Sequence, residues 1–186
     1  MIGLLPDKLS IGGRDVPINS DFRVALLALQ AFNDPDVPKR DMPGIAVDLI
    51  IGLDNISPAE MKEAYEKVKW FLDGGKDYED NGTLHPKTMD WEQDEQLIFS
   101  AVNNVARQET RALPYLHWWT FLGYFNEIRE GLFSNVLMIR QKKAKHKKLE
   151  KWEQDYYREN KDLIDFRKKY SEEEKAEKDR LNKLFQ

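Results

Sequence analysis

The chain has 186 residues, of which 41% are hydrophobic and 33% charged, with a formal net charge of −4 and no cysteine. That is enough apolar residue for one domain with its own core, and the absence of thiols excludes disulfides and thiolate metal sites. The first seven residues lack the basic and apolar regions of a secretory leader, and no run reaches the ~18 apolar residues of a membrane helix, so a cytoplasmic protein is expected.

Residues 1–139 carry 13 basic and 22 acidic side chains, whereas residues 140–186 carry 16 and 11. The sign of the charge therefore changes at Arg140. It divides the expected organisation into a helical core domain at 1–139 and a charged helical extension at 140–186.

Leu9-Ser10-Ile11 and Val16-Pro17-Ile18 flank Gly12-Gly13-Arg14-Asp15. Alternating apolar residues around a Gly-Gly turn predict a short β-hairpin, with the Pro17 strand at an edge. Asn19-Ser20-Asp21 supplies cap candidates for a helix from about Phe22 to Phe32, whose apolar stripe is Phe22, Ala25, Leu26, Leu29 and Phe32. A short apolar segment from Ile45 to Leu53 follows Pro43-Gly44 and reads as helix. Ser57-Pro58-Ala59-Glu60 has the form of a capping box opening a helix, with Met61, Ala64, Tyr65, Val68, Phe71 and Leu72 on one face. Gly74-Gly75 ends it, and a polar loop occupies 74–90. The next helix is expected from Trp91 to Arg107.

Six of the chain's 21 aromatic residues fall between Tyr115 and Phe125. On a helix opened by Pro114, Tyr115, Trp118, Trp119, Phe121, Leu122, Phe125 and Ile128 share about half of the surface. Such a face is the main core contact or a groove for an apolar partner segment. His117 lies at its edge, beside Tyr124, as a boundary histidine. Gly131 breaks the helix, and another starts over Phe133 to Ile139. The remaining chain is Lys- and Glu-rich, with Ser171-Glu172-Glu173-Glu174 capping a last helix. The fold expected is mainly α, with a short N-terminal β-hairpin and a long charged C-terminal helical extension.

No complete catalytic or cofactor motif is present, and His85, His117 and His146 do not share metal-ligand spacing. Asp77-x-Glu79-x-Asn81-Gly82 begins like a calcium loop but has Thr88 at the twelfth position; Asp90-x-Glu92-x-Asp94 fails in the same way, with Glu95 where glycine is needed. A non-enzymatic protein without metal or cofactor is expected. The dense positive segment offers Arg140, Lys142, Lys143, Lys145, Lys147 and Lys148 as partner-binding residues, for phosphates or an acidic protein. Alternatively it is a solvated helix paired with later acids, such as Lys151 with Asp155.

Four blocks carry a resemblance. Val16-Pro17-Ile18-Asn19-Ser20-Asp21-Phe22-Arg23 looks like a hairpin running into a helix opening. Asp90-Trp91-Glu92-Gln93-Asp94 with Leu97-Ile98 is similar to a middle block. Leu116-His117-Trp118-Trp119-x-Phe121 is the most distinctive, and Phe133-Ser134-x-x-Leu137-x-Ile139-Arg140 follows it. Together they resemble bacteriophage late-gene proteins of siphophages and prophages, encoded just ahead of the tape measure protein, where tail assembly chaperones are encoded. Asn103-Asn104-Val105-Ala106-Arg107 departs from the more aromatic continuation expected there.

The resemblance implies an ATP-independent, non-enzymatic chaperone of the host cytoplasm, absent from the mature virion. Its partners would be the tape measure protein and, at displacement, the tail tube subunits; a membrane is not among them. Two alternatives stand beside it: a head–tail or tail connector retained in the particle, and a nucleic-acid-binding regulator using 140–148. The Leu116-His117-Trp118-Trp119-x-Phe121 signature is expected in the core rather than at a binding site.

Overall fold

A computed structural model describes residues 3–76 and 86–184. It is mainly helical, with one antiparallel hairpin, β1 (Lys8–Ile11) and β2 (Arg14–Pro17), and nine α-helices among the described residues. The hairpin register pairs Leu9 with Val16 and Ile11 with Arg14. Leu9, Ile11 and Val16 face inward and are buried, as the alternation predicts. Gly12 and Gly13 both take positive φ, the requirement of the tight turn between them. The turn is held to the start of α3 (Met61–Leu72), where the Gly12 amide donates to Glu63 and Arg14 donates to Glu60 and to the Asn55 carbonyl.

Helices α1 (Phe22–Ala31) and α2 (Met42–Ile50) pack together, and α2 packs in turn on α3. Pro43 lies in the first turn of α2, where its missing N–H costs nothing, so this helix begins three residues before the expected Ile45. Helix α3 begins later than the capping-box pattern predicts. The Glu60 carboxylate does accept from the Ser57 amide, but the Ser57 hydroxyl donates to the same carboxylate instead of capping a helix amide. Residues 57–60 therefore form a turn ahead of the helix. At its other end Gly74 and Gly75 are left-handed, and the Gly75 amide reaches back to the Trp70 carbonyl at 2.9 Å. A Cβ on Gly75 would lie 2.6 Å from the Trp119 ring.

Helix α4 (Glu95–Ala106) packs on α5 (Trp118–Asn126). Both start later than expected, at Glu95 rather than Trp91 and at Trp118 rather than Pro114. Tyr115 consequently stands outside the helix and is 53% exposed, a correction to its expected place on the aromatic face. The departure at Asn103 has a structural use: its Oδ1 accepts from both the amide and the hydroxyl of buried Thr110. The main core gathers the hairpin, α1 to α5 and Phe133 around stacked aromatic rings, Phe22 on Phe121 at 4.8 Å and Trp118 on Phe121 at 5.7 Å.

Helix α6 (Leu132–Ala144) runs without a break through Arg140, so the change in charge falls inside an element and not between two. Beyond it come α7 (Lys151–Glu159), α8 (Lys161–Ile164) and α9 (Glu172–Leu184). A Glu150–Glu153 capping box, unforeseen in the sequence, opens α7. Val136 and Ile139 of α6 bury Ile164 of α8 in a second, smaller core. The Ser171–Glu174 capping box forms as expected, with both hydrogen bonds made. Helix α9 is exposed along the part whose side chains are described.

Candidate functional site

The first and third sequence blocks meet. Residues 20–22 and 116–118 pair as a short antiparallel bridge, with the Phe22 amide on the Leu116 carbonyl at 2.9 Å and the Trp118 amide on the Ser20 carbonyl at 2.8 Å. Each strand of the bridge ends in a helix cap. The Asp21 carboxylate accepts from the Arg23 amide and opens α1, and His117 Nδ1 accepts from the Trp119 amide and opens α5. Because Nδ1 is an acceptor, Nε2 carries the proton and donates to the Pro6 carbonyl at 2.9 Å. His117 is thus buried with both ring nitrogens engaged, not a boundary residue with a single bond.

The two tryptophans of that block cap a third helix. Trp118 Nε1 donates to the Leu72 carbonyl and Trp119 Nε1 to the Phe71 carbonyl, each at 2.9 Å, at the end of α3; the Phe71 carbonyl also accepts from the Gly74 amide at 3.1 Å. Leu116, Trp118 and Phe121 are buried and Trp119 is partly so, the core placement anticipated for the signature.

The second and fourth blocks also meet. Asp94 and Arg140 form a buried two-pronged ion pair at 2.6 and 2.8 Å. The guanidinium also donates to the carbonyls of Thr88, Leu163 and Ile164, and its face lies 4.3 Å from the centre of the Phe166 ring. Asp90 accepts from the amides of Glu92 and Gln93. Burial pushes its carboxyl upward, but the Lys87 ammonium and the Gln93 amide outweigh that and hold it at about 2. Asp90 and Asp94 are therefore turn and ion-pair residues. Among the described residues no group of three or more metal-ligating side chains converges. The 77–82 acidic segment and His85 lie outside the described residues.

The basic run does not present one face. Arg140 is buried on Asp94, which removes it from the candidate contact residues. Lys142 meets the buried carboxylate of Glu153 at 2.5 Å, and Lys143 meets Asp165 at 2.5 Å beside Tyr157. Lys145, Lys147 and Lys148 are exposed on the turn after α6. The expected Lys151–Asp155 pair is replaced by Arg158–Asp155 at 2.7 Å.

One surface feature among the described residues is an apolar groove of about 330 Å³ between α1 and α4. Phe22, Leu26, Leu27, Trp91, Ile98 and Phe99 line it, and Leu27 is 51% exposed. Arg23 and Arg111 rim it, their guanidinium groups lying 4.7 Å and 4.9 Å from the centres of the Phe22 and Phe99 rings. Arg23 is anchored on Asp21 and Arg111 on Glu109. Hydrogen bonds from Arg111 hold the Glu109 carboxyl down at about 2. The sequence did not point to this groove; the one available signal was Leu27, an apolar residue outside the stripe of its own helix. Among the described residues no helix is long and apolar enough to cross a membrane.

Among known proteins, no curated protein and no solved structure matches the chain. A family model described as Bacteriophage Gp15 protein matches residues 1–166, which takes in all four sequence blocks, both junctions and everything up to Phe166. The chain belongs to the Bacteriophage Gp15 protein family.

Proposed function

We propose that this phage protein is a tail assembly chaperone that holds the tape measure protein in soluble form until tail tube subunits polymerise around it. The reading rests on family membership together with one observation, the open apolar groove between α1 and α4 with half-exposed Leu27 on it. A tape measure chain is long and helical with apolar faces, and bare faces of that kind aggregate. A groove of this size takes a few apolar side chains of an amphipathic helix, the helix-in-groove mode of recognition. Modest affinity at each of many sites then lets tube subunits displace the chaperone. The distinctive residues support the same division of labour: His117, Trp118, Trp119, Asp94 and Arg140 all hold the fold, leaving recognition to the surface.

The test is co-purification with the tape measure protein of the phage or prophage that carries this gene. The wild-type chain is expected to co-purify, and Leu27→Asp, which places a charge on the groove without touching the core, is expected to lose the partner while remaining folded. Mass spectrometry of purified virions separates this reading from a connector. A chaperone is absent from the particle, whereas a fixed copy number in the particle would overturn the proposal.

A further inference from the structure

The cations of the basic run fall into two sets. Arg140, Lys142 and Lys143 each have a carboxylate partner, whereas Lys145, Lys147, Lys148 and the following Lys151 are exposed and make no ion pair among the described residues. The second set is displayed on a fixed turn. Helix α6 closes through His146 in the left-handed conformation, with the Lys147 amide on the Lys142 carbonyl at 2.8 Å. Three residues later the Glu150–Glu153 capping box opens α7. Next along the chain stands Trp152, 47% exposed. Its indole N–H is already held by Glu150 at 3.2 Å, so what it offers a partner is ring surface and not a hydrogen bond.

We infer that the turn between α6 and α7, with Lys145, Lys147, Lys148, Lys151 and Trp152, is a docking surface for a short acidic protein segment that carries an apolar side chain beside its carboxylates. The occupant follows from charge and shape. Three ammonium groups on the turn and a fourth at the first residue of α7 complement a short cluster of carboxylates, and an exposed indole with a satisfied N–H takes an apolar contact at their edge. A nucleic acid fits less well. Its phosphates want a row of cations along a track, whereas this turn is short and is followed by Glu150, Asp155 and Glu159, in a chain whose net charge is −4. The surface is separate from the α1–α4 groove and does not depend on the identity of the groove's occupant.

The experiment uses the full chain and three labelled probes in fluorescence anisotropy: a Glu/Leu peptide, the same peptide with Gln for every Glu, and an oligothymidine. The Glu/Leu peptide is expected to bind with an affinity that falls as salt rises, and the Gln peptide to bind far more weakly. The triple variant K145E/K147E/K148E should lose about tenfold or more of the affinity with an unchanged circular dichroism spectrum, because all three side chains lie in solvent. Trp152→Ala should weaken binding several-fold at every salt concentration. Equal binding by the wild type and the triple variant, equal binding of the Glu and Gln peptides, or tighter binding of oligothymidine than of the Glu/Leu peptide would each overturn the assignment. The triple variant leaves the groove intact, so loss of peptide binding with retained tape measure co-purification separates this surface from the proposed chaperone contact.

Discussion

Trp118 shows how a recognisable residue can be wholly structural. It is buried, stacks on Phe121 and donates its indole N–H to the last turn of α3. Trp118→Ala removes the ring and leaves the Leu72 carbonyl without its partner, and should cost about 3–5 kcal/mol in urea denaturation. A variant that stays as stable as the wild type and loses partner binding would move the aromatic block from the core to a binding surface. Arg140 carries a comparable load. Arg140→Ala strands the buried Asp94 carboxylate and three backbone carbonyls, with an expected loss of about 3–5 kcal/mol by the same measurement. Arg140→Lys should rescue little, since an ammonium cannot reproduce the two-pronged contact. One clue to this role lies in the basic run itself. Arg140 is the only arginine in the run from 140 to 148, and guanidinium suits a buried pair better than ammonium does.

At the scale of elements, local chemistry was legible and long-range pairing was not. The Gly-Gly hairpin, the Asp21 cap, the Gly74-Gly75 stop and the Ser171 capping box each follow from a few adjacent residues, and each is present. The starts of α3, α4 and α5 were read three or four residues early, because Ser57, Asp90 and Pro114 open turns or extended segments ahead of the helices. For α5 the cause is the bridge to residues 20–22, nearly a hundred positions away, which no local pattern reports. The groove between α1 and α4 was invisible for the same reason.

The elements after Arg140 rest on a small apolar core and on charge. Lys142–Glu153 and Lys143–Asp165 clip α7 and the end of α8 to α6, and Lys169 clips the segment after α8 to Asp90 and Glu92 ahead of α4. Burial opposes ionisation of Glu153, Asp165 and Asp90, but their cationic partners prevail and hold all three below ordinary carboxylate values, Asp90 at about 2. Carboxylates depressed in the folded state stabilise it above their unfolded values of about 4, and that stabilisation is lost as pH falls toward their folded ones. The protection of the amides at 151–165, relative to their intrinsic exchange rates, should therefore fall between about pH 4 and 2 before the α1–α5 core opens. A uniform loss of protection across the chain would contradict this. A projecting arm would be cut from about Lys142 onward, but here the chain is docked as far as Glu172, whose amide donates to Asp36 at 2.9 Å. Limited proteolysis should accordingly remove α9 and leave a folded fragment ending near Tyr170.

For the molecule as a whole, the residues of the four sequence blocks build a scaffold, and two surface features are the proposed contacts. An apolar groove lies between α1 and α4, and a basic turn with an exposed indole lies between α6 and α7. The central proposal is that this scaffold keeps an apolar-faced helical chain from aggregating, and the soluble yield of the tape measure protein of the same phage or prophage tests it directly. Co-expression with the wild-type chain should move that protein from the pellet to the supernatant, and co-expression with Leu27→Asp should not. An unchanged soluble yield with the wild type, or equal rescue by Leu27→Asp, would contradict the account.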